Sequence, residues 1–324
     1  HDRIGVTANF FELGGHSLIA MRLVTRLRES FDVDLPLTAL FEAPTIAGLA
    51  ERIEQIQGGD RLPPITHVSD ARTAPLSFAQ RRLWFLEQLE GPSATYNMPA
   101  TLELRGSLDA EALGAAAQAL VARHTGLRSH FPSSKGDPVA EVVELYDPLR
   151  VTDLTSLPAS ERETEARRLA RSHGSQPFDL SEGPLFRLHL LRFDDQTHWL
   201  LFNIHHIVSD GWTIDILVRD IAALYRAETL GTEAPLADLS VTYSDYAHWQ
   251  NAWLQGEPLT RQLDHWVAEL DGAPTLLELP SDHPHPKTRS YRGGLLTRTL
   301  DADLTANMRD FNRANGATDF MTLI

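Results

Sequence analysis

One stretch constrains the fold of this chain more than any other: Asn203-Ile204-His205-His206-Ile207-Val208-Ser209-Asp210-Gly211-Trp212. The residues before it, His198-Trp199-Leu200-Leu201-Phe202, form an aromatic and aliphatic run of strand type. After it, Thr213 is placed to cap a helix with an apolar stripe of Ile214, Leu217, Val218, Ile221, Leu224 and Tyr225. Two histidines therefore stand where a buried strand ends, with a carboxylate and a glycine in the turn beyond. A strand end is rigid enough to aim a side chain, and imidazole exchanges a proton near neutral pH. Asp210 could brace the turn by pairing with an arginine, or could hold an imidazole tautomer. A lone histidine among the fourteen of this chain is far more often structural than catalytic. A pair followed by Asp-Gly is less common by chance. Adjacent strand residues point to opposite faces, so His205 and His206 do not readily chelate one ion, and no cysteine is available to help; no metal is expected.

With 324 residues the chain has room for two domains, or for one large domain with an appendage. Its 44 acidic side chains outnumber 29 basic ones, a net charge of -15 that repels nucleic acid and anionic lipid. Cysteine is absent, which excludes disulfides and any thioester on a cysteine. No apolar run approaches the roughly 18 residues of a membrane span, and the start His1-Asp2-Arg3-Ile4 has neither the basic nor the apolar part of a signal peptide. A cytoplasmic location is expected.

Residues 1–56 read as a small helical unit. Gly14-Gly15 turns the chain and Ser17 stands at a helix start, with Ile19, Met21, Val24 and Leu27 continuing it to about Ser30. Phe31 to Pro36 is an extended connector, because the residue before a proline avoids helix. A short helix at Leu37 to Phe41 and a longer one capped by Thr45 complete the unit. Serine at a helix start is ordinarily a cap, and Gly15-His16-Ser17-Leu18-Ile19 lacks the second glycine of a nucleophile elbow. Residues 57–74, with Gly58-Gly59-Asp60 and Pro63-Pro64, suit an exposed linker with no core of its own. Beyond it strands and helices mix without strict alternation, an α+β pattern. The elements expected are a helix capped by Ser77, a strand at Ala100 to Arg105, an amphipathic helix at Leu108 to His124 and short strands near Phe131 and Val139 to Val143. Next come a charged helix at Glu161 to His173, a hairpin of Leu185 to Phe193 with Gln196 to Ile204, and helices at Tyr243 to Leu254 and Leu263 to Leu270.

Asn9-Phe10-Phe11-Glu12-Leu13-Gly14-Gly15-His16-Ser17-Leu18 resembles the core of a peptidyl carrier protein of nonribosomal peptide synthetases, with Asn9 where an acid is usual. The resemblance implies an all-α four-helix bundle whose first helix lies before His1, and 4'-phosphopantetheine carried on Ser17. Ser77-Phe78-Ala79-Gln80-Arg81-Arg82-Leu83-Trp84 is similar to the opening motif of condensation domains. Arg123 to Phe131 resembles the second motif, with Thr125 in place of glutamate, Asn203 to Gly211 the third, and Tyr243 to Trp249 the fourth. This second resemblance implies a chloramphenicol-acetyltransferase-like fold of two lobes with a tunnel between them: an N-terminal lobe at 75–270 and the start of a truncated C-terminal lobe at 271–324. His206 then meets the attacking amine, His205 supports it, Gly211 lets backbone approach, and Asp210 is a structural brace paired with Arg123 or Arg128.

By the same resemblance the chain joins a donor aminoacyl or peptidyl thioester to the amine of a downstream carrier-bound aminoacyl thioester. Its partners are the neighbouring carrier and adenylation domains and a phosphopantetheinyl transferase. An epimerisation domain shares the histidine motif, but the opening motif favours condensation. A heterocyclisation type carries aspartate where the histidines stand. A docking module without catalysis tends to lose the second histidine, and His206 is present.

Overall fold

The computed structural model describes residues 4–324 apart from 12, 16, 57–61, 69–71, 135, 276–279, 285–292, 295 and 316, and without the side chains of 17, 18 and 134. The chain divides into two compact units, His1–Pro63 with His285–Ile324, and Pro64–Pro284. In chain order the helices and strands begin with α1 (Ser17–Phe31), α2 (Thr38–Glu42) and α3 (Ile46–Gln55). Then come β1 (Thr73–Pro75), α4 (Phe78–Glu90), β2 (Asn97–Arg105), α5 (Ala110–Arg123), β3 (Ser129–His130), β4 (Ser133–Ser134), β5 (Asp137–Val142) and β6 (Leu149–Asp153). The remainder are α6 (Ala159–Ser175), β7 (Phe186–Arg192), β8 (Thr197–His205), α7 (Gly211–Leu230), α8 (Tyr243–Trp253), α9 (Gly256–Glu269), α10 (Ala302–Asn315) and α11 (Asp319–Leu323). Among the described residues no helix is long and apolar enough to cross a membrane.

The amino-terminal helices bury Ala20, Val24, Leu35, Ala39, Leu40 and Leu49 together. The Phe10 ring meets Phe11 edge-on at 5.1 Å, and Phe11 stacks on Phe41 at 5.0 Å. The two glycines serve different needs. Gly14 lies at φ +92°, where a side chain is strained, and a Cβ on Gly15 would stand 2.3 Å from the Phe10 ring. Asn9 Oδ1 accepts the Phe11 N–H at 2.9 Å, so the amide supplies the acceptor that a carboxylate would. Helix α1 stops at Asp32, whose φ of 50° is left-handed, while Val33 N–H reaches back to the Arg28 carbonyl. Thr45 caps α3 by accepting the Gly48 N–H at 3.1 Å.

The second unit is built on a sheet of order β2-β8-β7-β6. Strand β8 pairs antiparallel with β2 on one side and β7 on the other. Leu200, Phe202 and Ile204 join Phe186, Leu188 and Leu190 against α5 and α7. On the opposite face Leu201 and Leu191 pack with Leu154 and Ala166 of α6. With both faces covered, β8 reads as a continuous apolar run rather than an alternation. The hairpin β7–β8 forms as the sequence indicates. Strand β6, parallel to β7 and joined to it by α6, was not expected; its exposed Arg150 and Val151 break the alternation. A smaller sheet of order β1-β5-β3, with β4 on β5, lies beside α8, and Leu83 of α4 shares a buried cluster with its Ala74 and Ala140. Helix α10 also escaped the sequence pattern.

The connector holds more structure than its composition suggests, although 57–61 and 69–71 lie outside the described residues. Val68 N–H donates to Asp245 Oδ1 at 2.9 Å, His67 Nδ1 to Asp245 Oδ2 at 3.2 Å, and Thr242 N–H to Asp245 Oδ2 at 2.7 Å. Burial alone would raise that carboxyl, but these hydrogen bonds hold it down at about 2. A second buried carboxylate, Asp220 of α7, with 1% of its side chain exposed, gathers Arg123 Nε at 3.3 Å, His124 Nε2 at 2.9 Å and Arg219 Nη2 at 2.9 Å. Desolvation opposes its charge, and the bonds from His124 and Arg219 outweigh it and keep its pKa below the usual range. Asp220→Ala strands the Arg123 charge between α5 and α7. It should lower the stability of this unit by about 3–5 kcal/mol in urea unfolding at neutral pH; an unchanged midpoint would show that the cluster contributes nothing net.

Candidate active site

The ladder of β8 ends at His205, and the chain passes directly into a 3-10 turn, His206–Val208, before α7 begins. The sequence placed His206 in the strand; it is the first residue of the turn. Several polar backbone groups of this corner find partners within the unit. His206 N–H donates to the Tyr96 carbonyl at 2.8 Å, and Ile207 N–H donates to His205 Nδ1 at 3.0 Å. Ser209 Oγ donates to the His205 carbonyl at 3.0 Å. The His206 ring is exposed, and its Nδ1 lies 2.6 Å from the Ser209 carbonyl. A carbonyl only accepts, so Nδ1 carries a proton, and in the neutral form of the ring the lone pair is on Nε2. Among the described residues Nε2 has no hydrogen-bond partner. The result is an oriented imidazole on an exposed residue, its Nδ1 tied to the Ser209 carbonyl.

His205 lies behind it, 2% exposed, between Phe178 and Tyr96. Because its Nδ1 accepts from Ile207, its proton sits on Nε2, which faces Glu87 Oε2 at 3.9 Å. Burial, with the neighbouring His206 adding to it, pushes the His205 ring down to about 4, so it is uncharged at neutral pH. Glu87 is 11% exposed. Burial raises its carboxyl to about 7, against a hydrogen bond from the Leu180 backbone and with repulsion from Asp179. Gln80, from the same helix, donates to the Ile207 carbonyl at 3.3 Å. A cavity of about 50 Å³ lies beside this contact, lined by Gln80, Ser129, Val208 and Tyr243 among others. Gln80 belongs to the opening motif but carried no role of its own in the sequence, and Glu87 did not stand out; the two are seven residues apart on one helix and so share a face.

Asp210 is exposed and caps α7: its Oδ1 accepts the Thr213 N–H at 3.0 Å, while Thr213 Oγ1 accepts the Asp210 N–H at 3.1 Å. The expected cap, Thr213, is the reciprocal partner three residues on. Neither candidate arginine reaches Asp210. Arg123 is taken by Asp220 and by the Ala237 carbonyl, and Arg128 Nη1 donates to the Val143 carbonyl at 2.9 Å. Asp210→Ala therefore removes a cap worth about 0.5–2 kcal/mol rather than stranding a buried charge. Gly211 is exposed as the first residue of α7, and a Cβ built on it meets nothing within 4 Å. Packing among the described residues does not require glycine there. Ser17 opens α1 in the first unit; its side chain and His16 lie outside the described residues. No group of three metal-ligating side chains occurs among the described residues.

Residues 70–324 match the family model of the condensation domain. The chain belongs to that family. Residues 1–53 match the phosphopantetheine attachment site, so a carrier precedes the condensation domain and its cofactor is 4'-phosphopantetheine. A linear gramicidin synthase polypeptide of Brevibacillus parabrevis is 44% identical over 324 residues, all of this chain and 6% of that protein. Malpinin synthetase of Mortierella alpina is 39% identical over 99% of this chain and 4% of its own length. The chain thus spans only a small part of these synthetases. Among solved structures, the X-domain from teicoplanin biosynthesis is 28% identical with a TM-score of 0.68, covering 79% of this chain and 56% of that one. The starter condensation domain of rhizomide synthetase RzmA, at 22% identity and a TM-score of 0.58 over 63% of this chain and 49% of that one, shares the fold.

Glu87 makes the stability of the condensation unit depend on pH. A carboxyl raised from 4.5 to about 7 favours the folded state while protonated; that contribution is full below about 4.5 and is lost as pH rises to about 7. Glu87→Gln stays uncharged throughout. Its stability relative to wild type should therefore increase between pH 5 and pH 8, read by denaturant unfolding at each pH. A gap that stays constant would mean the carboxyl is ionised in the fold at pH 5.

Proposed function

We propose that this chain is a carrier and condensation segment of a nonribosomal peptide synthetase. It joins a donor aminoacyl or peptidyl thioester to the amine of an aminoacyl thioester on a downstream carrier. The observation that carries this reading is the His206 ring, exposed, with Nδ1 tied to the Ser209 carbonyl and Nε2 open. As the amine nitrogen bonds to the donor carbonyl carbon and the carbon–sulfur bond breaks, the nitrogen must lose a proton. His206 Nε2 is the lone pair placed to take it, and imidazole then returns the proton to the departing sulfur. The Ser209 carbonyl holds the ring through this exchange and offsets the positive charge on the imidazolium. His205 stays neutral behind it, so no second positive charge opposes protonation of His206.

Ser17 is the residue we assign to the cofactor. It is the first residue of a 15-residue helix whose first turn holds no acidic side chain, so the helix end favours a phosphodiester there. When bound, 4'-phosphopantetheine supplies a thiol on which an acyl group is held as a thioester. The partners on this reading are upstream and downstream carriers with their adenylation domains and a phosphopantetheinyl transferase. A cytoplasmic setting suits a chain without cysteine. We place the carrier at 1–56, the linker at 57–74 and the condensation domain from 75 onward, with 271–324 opening its second lobe.

Treatment with a phosphopantetheinyl transferase and coenzyme A should add one arm by intact mass, and none to Ser17→Ala. In the full synthetase, His206→Ala should slow amide formation between loaded carriers by about 100- to 10,000-fold with loading unchanged. Full activity in a folded His206→Ala protein would favour a docking module, or a different base.

A further inference from the structure

The opening motif of the condensation unit contains a glutamine to which the reaction above gives no task. Gln80 is 5% exposed and uses both ends of its amide. Its Oε1 accepts the Ser77 N–H at 3.0 Å, while Ser77 Oγ accepts the Gln80 N–H at 3.2 Å; together they close the N-terminus of α4. Helix closure of this kind asks only for an acceptor at this position. The other end of the amide does something that closure does not need: Nε2 donates to the carbonyl of Ile207, 127 residues on. Ile207 is the centre of the turn that His206 begins. Its N–H is held by His205 and its carbonyl by Gln80, so both of its peptide groups are fixed from the buried side. Gln80 and Val208 also line a small cavity, while the Ile207 side chain packs in the core with Leu83 and Phe131.

We propose that Gln80 is a positioning residue for His206, fixing the plane of the Ile207 peptide and through it the direction of the His206 ring. This rests on the reading of His206 as the group that takes the proton. The helix cap and the tie are separable because they use different atoms of one side chain. Gln80→Glu keeps an acceptor for Ser77, the usual partner in such a cap, and loses the donor to Ile207. Ser77→Ala does the reverse, weakening the cap while leaving the Nε2 tie.

The experiment measures kcat and KM for amide formation between loaded carriers in the full synthetase, with melting temperatures for each variant and His206→Ala run in parallel. Gln80→Glu should lower kcat by about 10- to 100-fold with KM for the acceptor unchanged, the penalty of a base displaced by about an ångström. Ser77→Ala should lower the melting temperature and leave kcat within about twofold of wild type. Nitrogen-15 spectra of the His206 ring should show the single Nδ1–H tautomer in wild type and an average of both tautomers in Gln80→Glu. Gln80→Met, similar in length and uncharged, removes the same donor; should the buried carboxylate unfold Gln80→Glu, the same loss of kcat and tautomer averaging are expected from it. A folded Gln80→Glu or Gln80→Met protein with wild-type kcat and one tautomer, while His206→Ala is inactive, would overturn the role of Gln80. Full activity in His206→Ala would instead remove the reading beneath it.

Discussion

A buried strand has to surrender its hydrogen-bonding ladder somewhere, and in this protein it does so at His205. Strand β8 is covered on both faces, so the backbone groups just beyond its end cannot simply turn to water. They are taken up by the Tyr96 carbonyl, the His205 ring, the Gln80 amide and the Ser209 hydroxyl. Beyond those groups, His206 Nε2 has no hydrogen-bond partner among the described residues.

Three aspartates show how differently one side chain is used. Asp210 stays at the surface and caps α7 with Thr213. Asp220, further along the same helix, is sealed among Arg123, His124 and Arg219 and ties α7 to the end of α5. Asp245 opens α8 and collects the linker through Val68 and His67. The brace expected of Asp210 exists in this unit, but it is built by Asp220. The exchange matters energetically: an exposed cap is a matter of about 1 kcal/mol, and a buried charge deprived of its partners several.

Behind His206 lie two further ionisable groups, His205 and Glu87. His205 is held neutral by burial, and Glu87 is raised toward neutrality by the same cause. Desolvation moves an acid and a base in opposite directions, toward the uncharged form of each. An ion pair directly beneath His206 is thereby avoided at neutral pH, and the open ring is the basic group that the corner presents.

The order of elements, the carrier core, the strand–turn–helix around the histidines and the family itself were legible in the sequence. They rest on local spacing: apolar residues at helical or strand period, glycines where Phe10 comes close, and motifs of contiguous residues. What the sequence did not disclose depends on residues far apart in the chain. The pairing of Arg123 and His124 with Asp220 spans nearly a hundred positions, Gln80 and Ile207 are 127 apart, and the linker meets Asp245 after 177. Strand β6 was missed because its partner β7 lies beyond a whole helix and its own exposed residues mask the period. The sequence by itself determined which side chains were available for the chemistry. Only the tertiary structure decided which carboxylate is buried, which histidine is neutral beneath which, and which nitrogen of His206 is tied to a carbonyl, because burial and long-range hydrogen bonds set those properties and neither is written in local order.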